Sequence, residues 1–230
     1  MNIEISEFVE GASKAEGVTV IIDVFRAFST ACYASDSGAA RIIATGSVEE
    51  ALRLKMEYRN SVLAGERDEK KIPGFDLGNS PTEIIRTDLS GKTLIHTTTA
   101  GTNGLVNAGK ASLILTGSLV NAAATVRYIR ALNADRISLV AMGYRAETTA
   151  EEDMICADLI ASRLLGEDPD ISSSLEKLRQ TAGARFFDPR NIDFSPPTDF
   201  FLCTMTDRFN FVLKAEKRFD GNIDLMRIEI

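Results

Sequence analysis

The sequence predicts a three-layer α/β/α fold around a mainly parallel or mixed sheet, and three observations carry that expectation. Val18–Val24 (VTVIIDV) is a short β-branched run of the kind buried on both faces of a parallel sheet. Similar short runs then alternate with helical patterns, which places helices on both faces of one sheet. Two joints, Ala44-Thr45-Gly46-Ser47-Val48 and Leu115-Thr116-Gly117-Ser118-Leu119, pass from strand through TGS towards a helix. Ser47 and Ser118 serve there as N-caps, each satisfying a free N–H of the first turn.

In chain order, Arg41–Ala44, Ser61–Ala64, Thr93–His96, Ser112–Leu115 and Ile137–Ala141 are the remaining strands of the alternation. Ala27–Ala34, Val48–Tyr58, Val120–Leu132 and Glu151–Leu165 are its helices. Residues 183–200 hold Phe186, Phe187, Pro189, Pro196 and Pro197, which predicts a long irregular connection. Strands over Arg208–Glu216 and Asn222–Glu229 follow. No linker composition interrupts the chain, so a single domain over 1–230 with a less regular C-terminal portion is expected.

Composition removes several classes. The chain has 230 residues, 44% of them apolar and 26% charged, which is ordinary for a globular protein. Lys+Arg 26 against Asp+Glu 33 gives a net charge of -7, opposed to a general nucleic-acid surface. Cys32, Cys156 and Cys203 form neither a disulfide framework nor a zinc pattern, and reduced thiols suit a cytoplasmic location. MNIEISEFVEG has no apolar core run for a signal peptide, and no stretch is apolar enough to span a bilayer. A homodimer stays open.

Ligands of open α/β sheets bind beyond the carboxyl ends of the strands, which selects five loops. The first holds Asp23, Arg26, Ser29 and Thr30. A strand-end carboxylate is costly unless paired or metal-bound, and an Asp23–Arg26 ion pair fixing the turn is the plain alternative. The second, Gly65–Ser80, reads as a long structureless loop carrying Glu66 and Asn79. It ends in Ser80-Pro81-Thr82-Glu83, a capping box whose N–H groups could also receive an anion. The third, His96-Thr97-Thr98-Thr99-Ala100-Gly101-Thr102-Asn103-Gly104, suits a phosphate cradle of Thr98, Thr99, Gly101, Thr102 and Gly104. His96, the only histidine, reads as a hydrogen-bonded core residue.

The fourth loop brings Arg145 and then Thr149-Ala150-Glu151-Glu152-Asp153. Thr149 and Glu152 have capping-box spacing, and acids complement a helix start. Alternatively Glu152 or Asp153 faces Asp23 across a crevice and shares a divalent cation. The fifth loop, Thr116–Asn121, adds small polar groups. There is no Walker loop, no G-x-G-x-x-G and no C-x₅-R, so P-loop, dinucleotide and cysteine-phosphatase chemistries lose support.

Taken together, I-D-V-F-R-A, G-E-R-D…G-F-D-L-G-N-S-P, T-T-x-G-T-x-G-L and E-D resemble the 2-phosphosulfolactate phosphatase family. The order and spacing match from about Val18 to Ala161, more loosely through Asp199–Asp207, and Gly74–Pro81 is the most distinctive piece. The resemblance implies a family-specific α/β topology and a Mg²⁺-dependent phosphatase that converts 2-phospho-3-sulfolactate to 3-sulfolactate, a step toward coenzyme M. Its partner would be a small anionic phosphate ester, with no nucleic acid or membrane. Mg²⁺ prefers oxygen ligands, for which Asp23, Glu66, Glu152 and Asp153 are the candidates. The catalytic candidates are Asp23, Arg26, Glu152 and Asp153; Ser29, Thr30, Asn79, Ser80, the third-loop residues and Arg145 are the phosphate-binding ones. Metal-activated water with a neighbouring carboxylate as base, or attack by Asp23 itself, are both open. So are a phosphatase for a different 2-hydroxy-acid phosphate and an anion-binding protein without turnover.

Overall fold

The computed structural model describes residues 1–230. Its ten strands form one sheet in the order β1-β8-β2-β7-β9-β10-β3-β6-β4-β5. The strands are β1 Asn2–Glu7, β2 Gly17–Ile22, β3 Arg41–Ala44, β4 Ser61–Arg67, β5 Lys70–Lys71, β6 Thr93–Thr97, β7 Ala111–Gly117, β8 Arg136–Ala141, β9 Phe211–Lys217 and β10 Ile223–Glu229. The helices are α1 Phe8–Lys14, α2 Ala27–Asp36, α3 Val48–Glu57, α4 Pro81–Ile84, α5 Gly101–Asn107, α6 Ala122–Ala131, α7 Glu151–Leu165, α8 Ser172–Leu178 and α9 Pro197–Cys203. This is the expected α/β/α class. No helix is long and apolar enough to cross a membrane.

The sheet contains two parallel blocks, β1-β8-β2-β7 and β3-β6-β4, joined through the antiparallel β9–β10 hairpin. That hairpin meets β7 through Ile114↔Ala215 and Leu115↔Lys214, and β3 through Ile223↔Ala44 and Asp224↔Ile43. The antiparallel pairings make the two blocks run in opposite senses. Twist brings them back together. Six neighbour-to-neighbour steps separate β2 from β4, and at roughly 20–25° a step they rotate one block well past a right angle relative to the other. The carboxyl ends of both blocks therefore open on one cleft.

Alternation along the central strands separates the cores. Ile21, Ile42, Ala44, Val62, Ala64 and Leu94 join a continuous core beneath α1, α2 and α5. On the opposite face, Val18, Val20 and Ile22 pack with α6 and α7, whereas Ile43, Leu63 and Ile95 pack with Ala51 and Leu54 of α3. Burial on both faces explains the near-continuous apolar runs. Ser47 caps α3 by accepting from the Glu50 N–H at 3.1 Å. Ser118 pairs with Asn121 in a capping box on a short 3₁₀ turn, after which α6 starts.

Four segments depart from the sequence reading. β1 and α1 lie in the stretch considered only as a possible leader; β1 is an edge strand whose side chains are largely exposed, so it lacks a buried run. Gly65–Ser80 is not structureless, because β4 continues to Arg67 and turns back through β5. The third loop contracts to a few residues before α5. The irregular C-terminal stretch contains 3₁₀ turns at Ala182–Phe187 and Pro189–Asn191, and then α9.

His96 is wholly buried in β6, with Nε2 3.1 Å from Asn79 Oδ1. An amide oxygen only accepts, so Nε2 carries the proton and Nδ1 is left without a partner. Burial lowers the His96 pKa to about 4. The unfolded chain therefore binds the proton first, and stability falls as pH drops from about 6.5 towards 4. His96→Gln should lack this component, on the order of 3 kcal/mol. Denaturant titrations of both proteins across that range check it; parallel pH dependences would refute the assignment.

Gly104 does not belong to a phosphate cradle. A Cβ there would lie 2.7 Å from Ile21 Cγ2 and closer still to Met142 Sδ, so this glycine lets α5 settle on the sheet. Gly104→Val should lower stability by about 1–3 kcal/mol or more through overpacking, measured by thermal unfolding.

Candidate active site

Asp23 is the first residue beyond β2, buried and facing the start of α2. Its Oδ1 accepts the Ala27 N–H at 2.9 Å. Burial raises its pKa to about 6; the Glu66 charge adds to this, and the Ala27 and Gly101 N–H groups oppose it. Gly101 is required here, since a Cβ would lie 2.8 Å from Asp23 Oδ2. The third loop thus reaches the first through a residue without a side chain.

The anticipated Asp23–Arg26 pair is not formed. Arg26 is buried and donates through Nη1 to Asp199 Oδ2 at 2.8 Å and to the Phe194 carbonyl at 2.5 Å. Its Nη2 reaches the Glu69 carbonyl at 3.2 Å. Arg26 lines the cleft, but its charge is committed to a carboxylate nearly the whole chain away. Ser29 and Thr30 lie inside α2, fully buried: Ser29 Oγ donates to the Val24 carbonyl, and Thr30 Oγ1 has no partner. Neither reaches the cleft wall.

Glu66 closes β4 and ties two loops together. Oε1 accepts from Thr99 N at 2.7 Å; Oε2 accepts from Glu69 N at 2.9 Å and Thr99 Oγ1 at 3.2 Å. Asn79 faces the cleft, its Oδ1 held by His96, so its amide NH₂ makes no bond within the protein. Ser80 is occupied as a cap, accepting from Glu83 N and donating to Asp199 Oδ1 at 2.8 Å. The same Asp199 oxygen takes the Thr82 N–H, while Gly78 N donates to Glu83 Oε2. The N–H groups assigned to an incoming anion are therefore satisfied by carboxylates of the protein. Thr98 and Thr102 bond each other at the start of α5, leaving the half-buried Thr99 and the buried Ala100 as the part of the third loop that lines the cleft.

The acids at the start of α7 separate in role. No side chain caps this helix, and Thr149 and Glu152 do not form the anticipated box. Asp153 accepts Val24 N at 2.8 Å and Gly143 N at 2.9 Å, fastening the ends of β2 and β8. Glu152 is buried with Oε2 unpartnered, and Oε1 is 4.0 Å from Arg185 Nη2. Burial raises the Glu152 pKa to about 7, against the pull of Arg185 and with a further push from Asp23 and Glu151.

Arg185 is the main omission from the sequence reading. It stands in a 3₁₀ turn, its guanidinium 5.2 Å from the Phe186 ring, 5.5 Å from Tyr144 and 5.8 Å from Phe25. Nη1 pairs with Glu69 Oε1 at 2.5 Å. No local motif marks it. The cleft is lined by Asp23, Glu66, Asp68 and Glu69 against Arg26, Arg145 and Arg185, with Asn79 and Thr99 between.

Asp23, Glu66, Glu152 and Asp153 are not assembled as a ready metal cluster: no three acidic, histidine or cysteine side chains stand together as a metal-holding group. Glu66 and Asp153 each engage both carboxylate oxygens with main-chain N–H groups, whereas Asp23 engages Oδ1. Asp23 and Glu152 fit a cation better. Burial raises Asp153 as it does these two, but Glu152 Oε2 is orphaned and Asp23 keeps one oxygen free of main-chain bonds. Two carboxylates supplemented by water and phosphate oxygens is a common Mg²⁺ environment.

The split between Asp153 and Glu152 has a direct consequence. Asp153→Asn should cost about 1–3 kcal/mol, because an amide NH₂ replaces an acceptor facing a buried N–H. Glu152→Gln should raise the melting temperature in metal-free buffer by removing a charge beside other carboxylates. Thermal unfolding of both variants tests this; equal losses would show that the two acids act alike.

A sequence model for 2-phosphosulpholactate phosphatase matches residues 3–217. A "Probable 2-phosphosulfolactate phosphatase" of Caldanaerobacter subterraneus subsp. tengcongensis is 32% identical over 211 residues, 86% of this chain and 87% of that protein. The protein of the same description from Bacillus subtilis is 31% identical over 210 residues, covering 90% and 89%. One from Caldicellulosiruptor saccharolyticus is 38% identical over a shorter match of 160 residues, 68% of this chain and 66% of that protein. With the family's match running from the edge strand β1 through β9, and so across every loop that lines the cleft, the chain belongs to the 2-phosphosulpholactate phosphatase family, a family of phosphoric monoester hydrolases.

Proposed function

We propose that the protein is a Mg²⁺-dependent phosphatase that hydrolyses 2-phospho-3-sulfolactate to 3-sulfolactate and inorganic phosphate, and that it works in the cytoplasm on the route to coenzyme M. The observation that carries this reading is a pair of buried carboxylates titrating near 6 and 7, Asp23 in the cleft and Glu152 in the adjoining hollow, with Arg185 lining both and the Asp23 charge pushing Glu152 upward. A group that titrates near the working pH is matched to proton transfer. An ester with three anionic groups also needs cations at its binding surface, and an acidic chain must supply them locally.

Asp23 and Glu152 would hold Mg²⁺, which supplies charge neutralisation on the phosphoryl oxygens and a more acidic water. Glu152 receives the proton of the attacking water on its unpartnered Oε2. Asp23, fixed by the Ala27 N–H, orients the phosphoryl group towards the third loop. The Asn79 NH₂ and the Thr99 hydroxyl contact its oxygens. The P–O bond to carbon 2 of the substrate breaks, and the leaving oxygen takes a proton from solvent to give the hydroxyl of 3-sulfolactate, while Glu152 returns the proton it received to solvent. Asp153 and Arg26 act indirectly, by holding the loops that carry these groups.

Phosphate release from 2-phospho-3-sulfolactate, compared with a panel of other 2-hydroxy-acid phosphates, tests the substrate. Activity should vanish with chelator and return with Mg²⁺. Asp23→Asn and Glu152→Gln should each reduce turnover on the order of a hundredfold or more while the fold is retained. Binding of the ester with no phosphate release under any metal would favour an anion-binding protein and refute the catalytic reading.

A further inference from the structure

The three guanidinium groups of the cleft have partners of different kinds. Arg26 is locked inside the protein by Asp199, with only 3% of its side chain exposed. Arg145 and Arg185 are paired instead with the tip of the β4–β5 hairpin. Arg145 Nη2 is 2.7 Å from Asp68 Oδ1, and Arg185 Nη1 is 2.5 Å from Glu69 Oε1. Both acids and both arginines line the cleft.

The hairpin is an unusual place for those acids. Arg67 pairs with Lys70, so Asp68 and Glu69 are the two central residues of the turn, with φ of 53° and 67°. A two-residue turn with both centres left-handed ordinarily recruits Asn-Gly. Asp68 suits the first centre, but Glu69 at the second stands against the conformational preference of the backbone, the kind of outlier that points to a use. The geometry also shows what they accomplish. Arg185 lies 4.0 Å from Glu152, and Glu69 gives it a closer partner, leaving Glu152 Oε2 unpaired. Stacking on Tyr144, Phe25 and Phe186 keeps the guanidinium in place whichever anion it meets. Glu69, Tyr144 and Arg185 further divide the cleft from a second hollow lined by Thr148, Thr149 and Glu152.

We propose that Asp68 and Glu69 form an internal counter-ion latch, holding Arg145 and Arg185 until the two non-reacting anionic groups of the substrate, a carboxylate and a sulfonate, displace them. The two arginines are then specificity-determining residues for esters that carry extra anions beside the phosphate. The ligand class rests on the function proposed above; the latch itself rests on the hairpin and its ion pairs. An exchange of one carboxylate for another anion on a guanidinium keeps the charge balance, and each hairpin acid holds its arginine through a single contact, leaving the rest of the fork to a ligand.

Calorimetric titration with 3-sulfolactate, which has both anionic groups and no phosphoryl group, tests the latch without turnover. Removing an internal competitor raises the competent fraction, so Glu69→Gln should bind roughly threefold to tenfold tighter than wild type. Asp68→Asn, at a mostly exposed side chain, should shift affinity in the same direction and serves if Glu69→Gln does not fold. Arg185→Lys should bind about tenfold or more weakly, since an ammonium does not reproduce the planar fork. Unchanged or weaker binding by the acid-neutralised variants overturns the latch, as does failure of every form to bind 3-sulfolactate. Phosphate release on the same samples reports separately: tighter binding without catalysis in any form preserves the latch and refutes the phosphatase reading.

Discussion

Asp199 and Arg26, both buried, meet at 2.8 Å and join the two ends of the chain at the cleft. The same carboxylate receives the Ser80 hydroxyl and the Thr82 N–H, so it fixes the start of α4 as well. An ion pair this deep contributes little net stability over an apolar packing, because both charges lose water. Its value is positional. Arg26 follows Asp23 by one turn of chain and holds the Phe194 and Glu69 carbonyls, so the first loop, the hairpin and the C-terminal segment share one anchor. Removing either partner would leave a buried charge unpaired and loosen three walls of the cleft together.

The electrostatics of the cleft follow from that anchoring. Asp23 and Glu152 are buried among these loops, and this desolvation is the first cause of their raised pKa values. Asp153 sits equally deep, but two main-chain N–H groups give it a structural task. Three neighbouring acids thus diverge because their hydrogen-bond partners differ, not because their residue types do. The unsatisfied oxygen is confined to Glu152 Oε2, which is where added positive charge gains most.

The layers were legible because runs such as Val18–Ile22 are buried on both faces and leave a clear apolar signature. β1 and α1 were not, since an exposed edge strand has no such signature. Strand direction across the sheet was also hidden: it turns on the few residue pairs by which β9 meets β7 and β10 meets β3. At the site, Asp23, Glu66, Asn79, Thr99 and Arg145 were found by a positional rule, being at or beyond strand ends. Ser80 and Gly104 misled because the residues that make anion cradles also make caps and close packing. Arg185 and Asp199 lie in the aromatic, irregular segment, where only the tertiary fold brings them to the other loops.

The opposed sense of the two parallel blocks explains why the cleft is built this way. In a uniformly parallel sheet the ligand crevice lies at a switch point between adjacent strands. Here the ends of β2 and β8 face those of β4 and β6 across the inserted hairpin, with a gap, the cleft, between them. The gap is spanned by short-range contacts that tolerate no extra atoms, such as Gly101 on Asp23, and by charged reaches such as Arg185 to Glu69. Long side chains with full charges bridge wide seams well, but each brings a counter-charge that must be placed. The acidic hairpin supplies those counter-charges, and its exposed tip can exchange them with a ligand, whereas the sealed Arg26–Asp199 pair cannot. A seam between blocks therefore yields one fixed ion pair for architecture and two accessible ones for recognition.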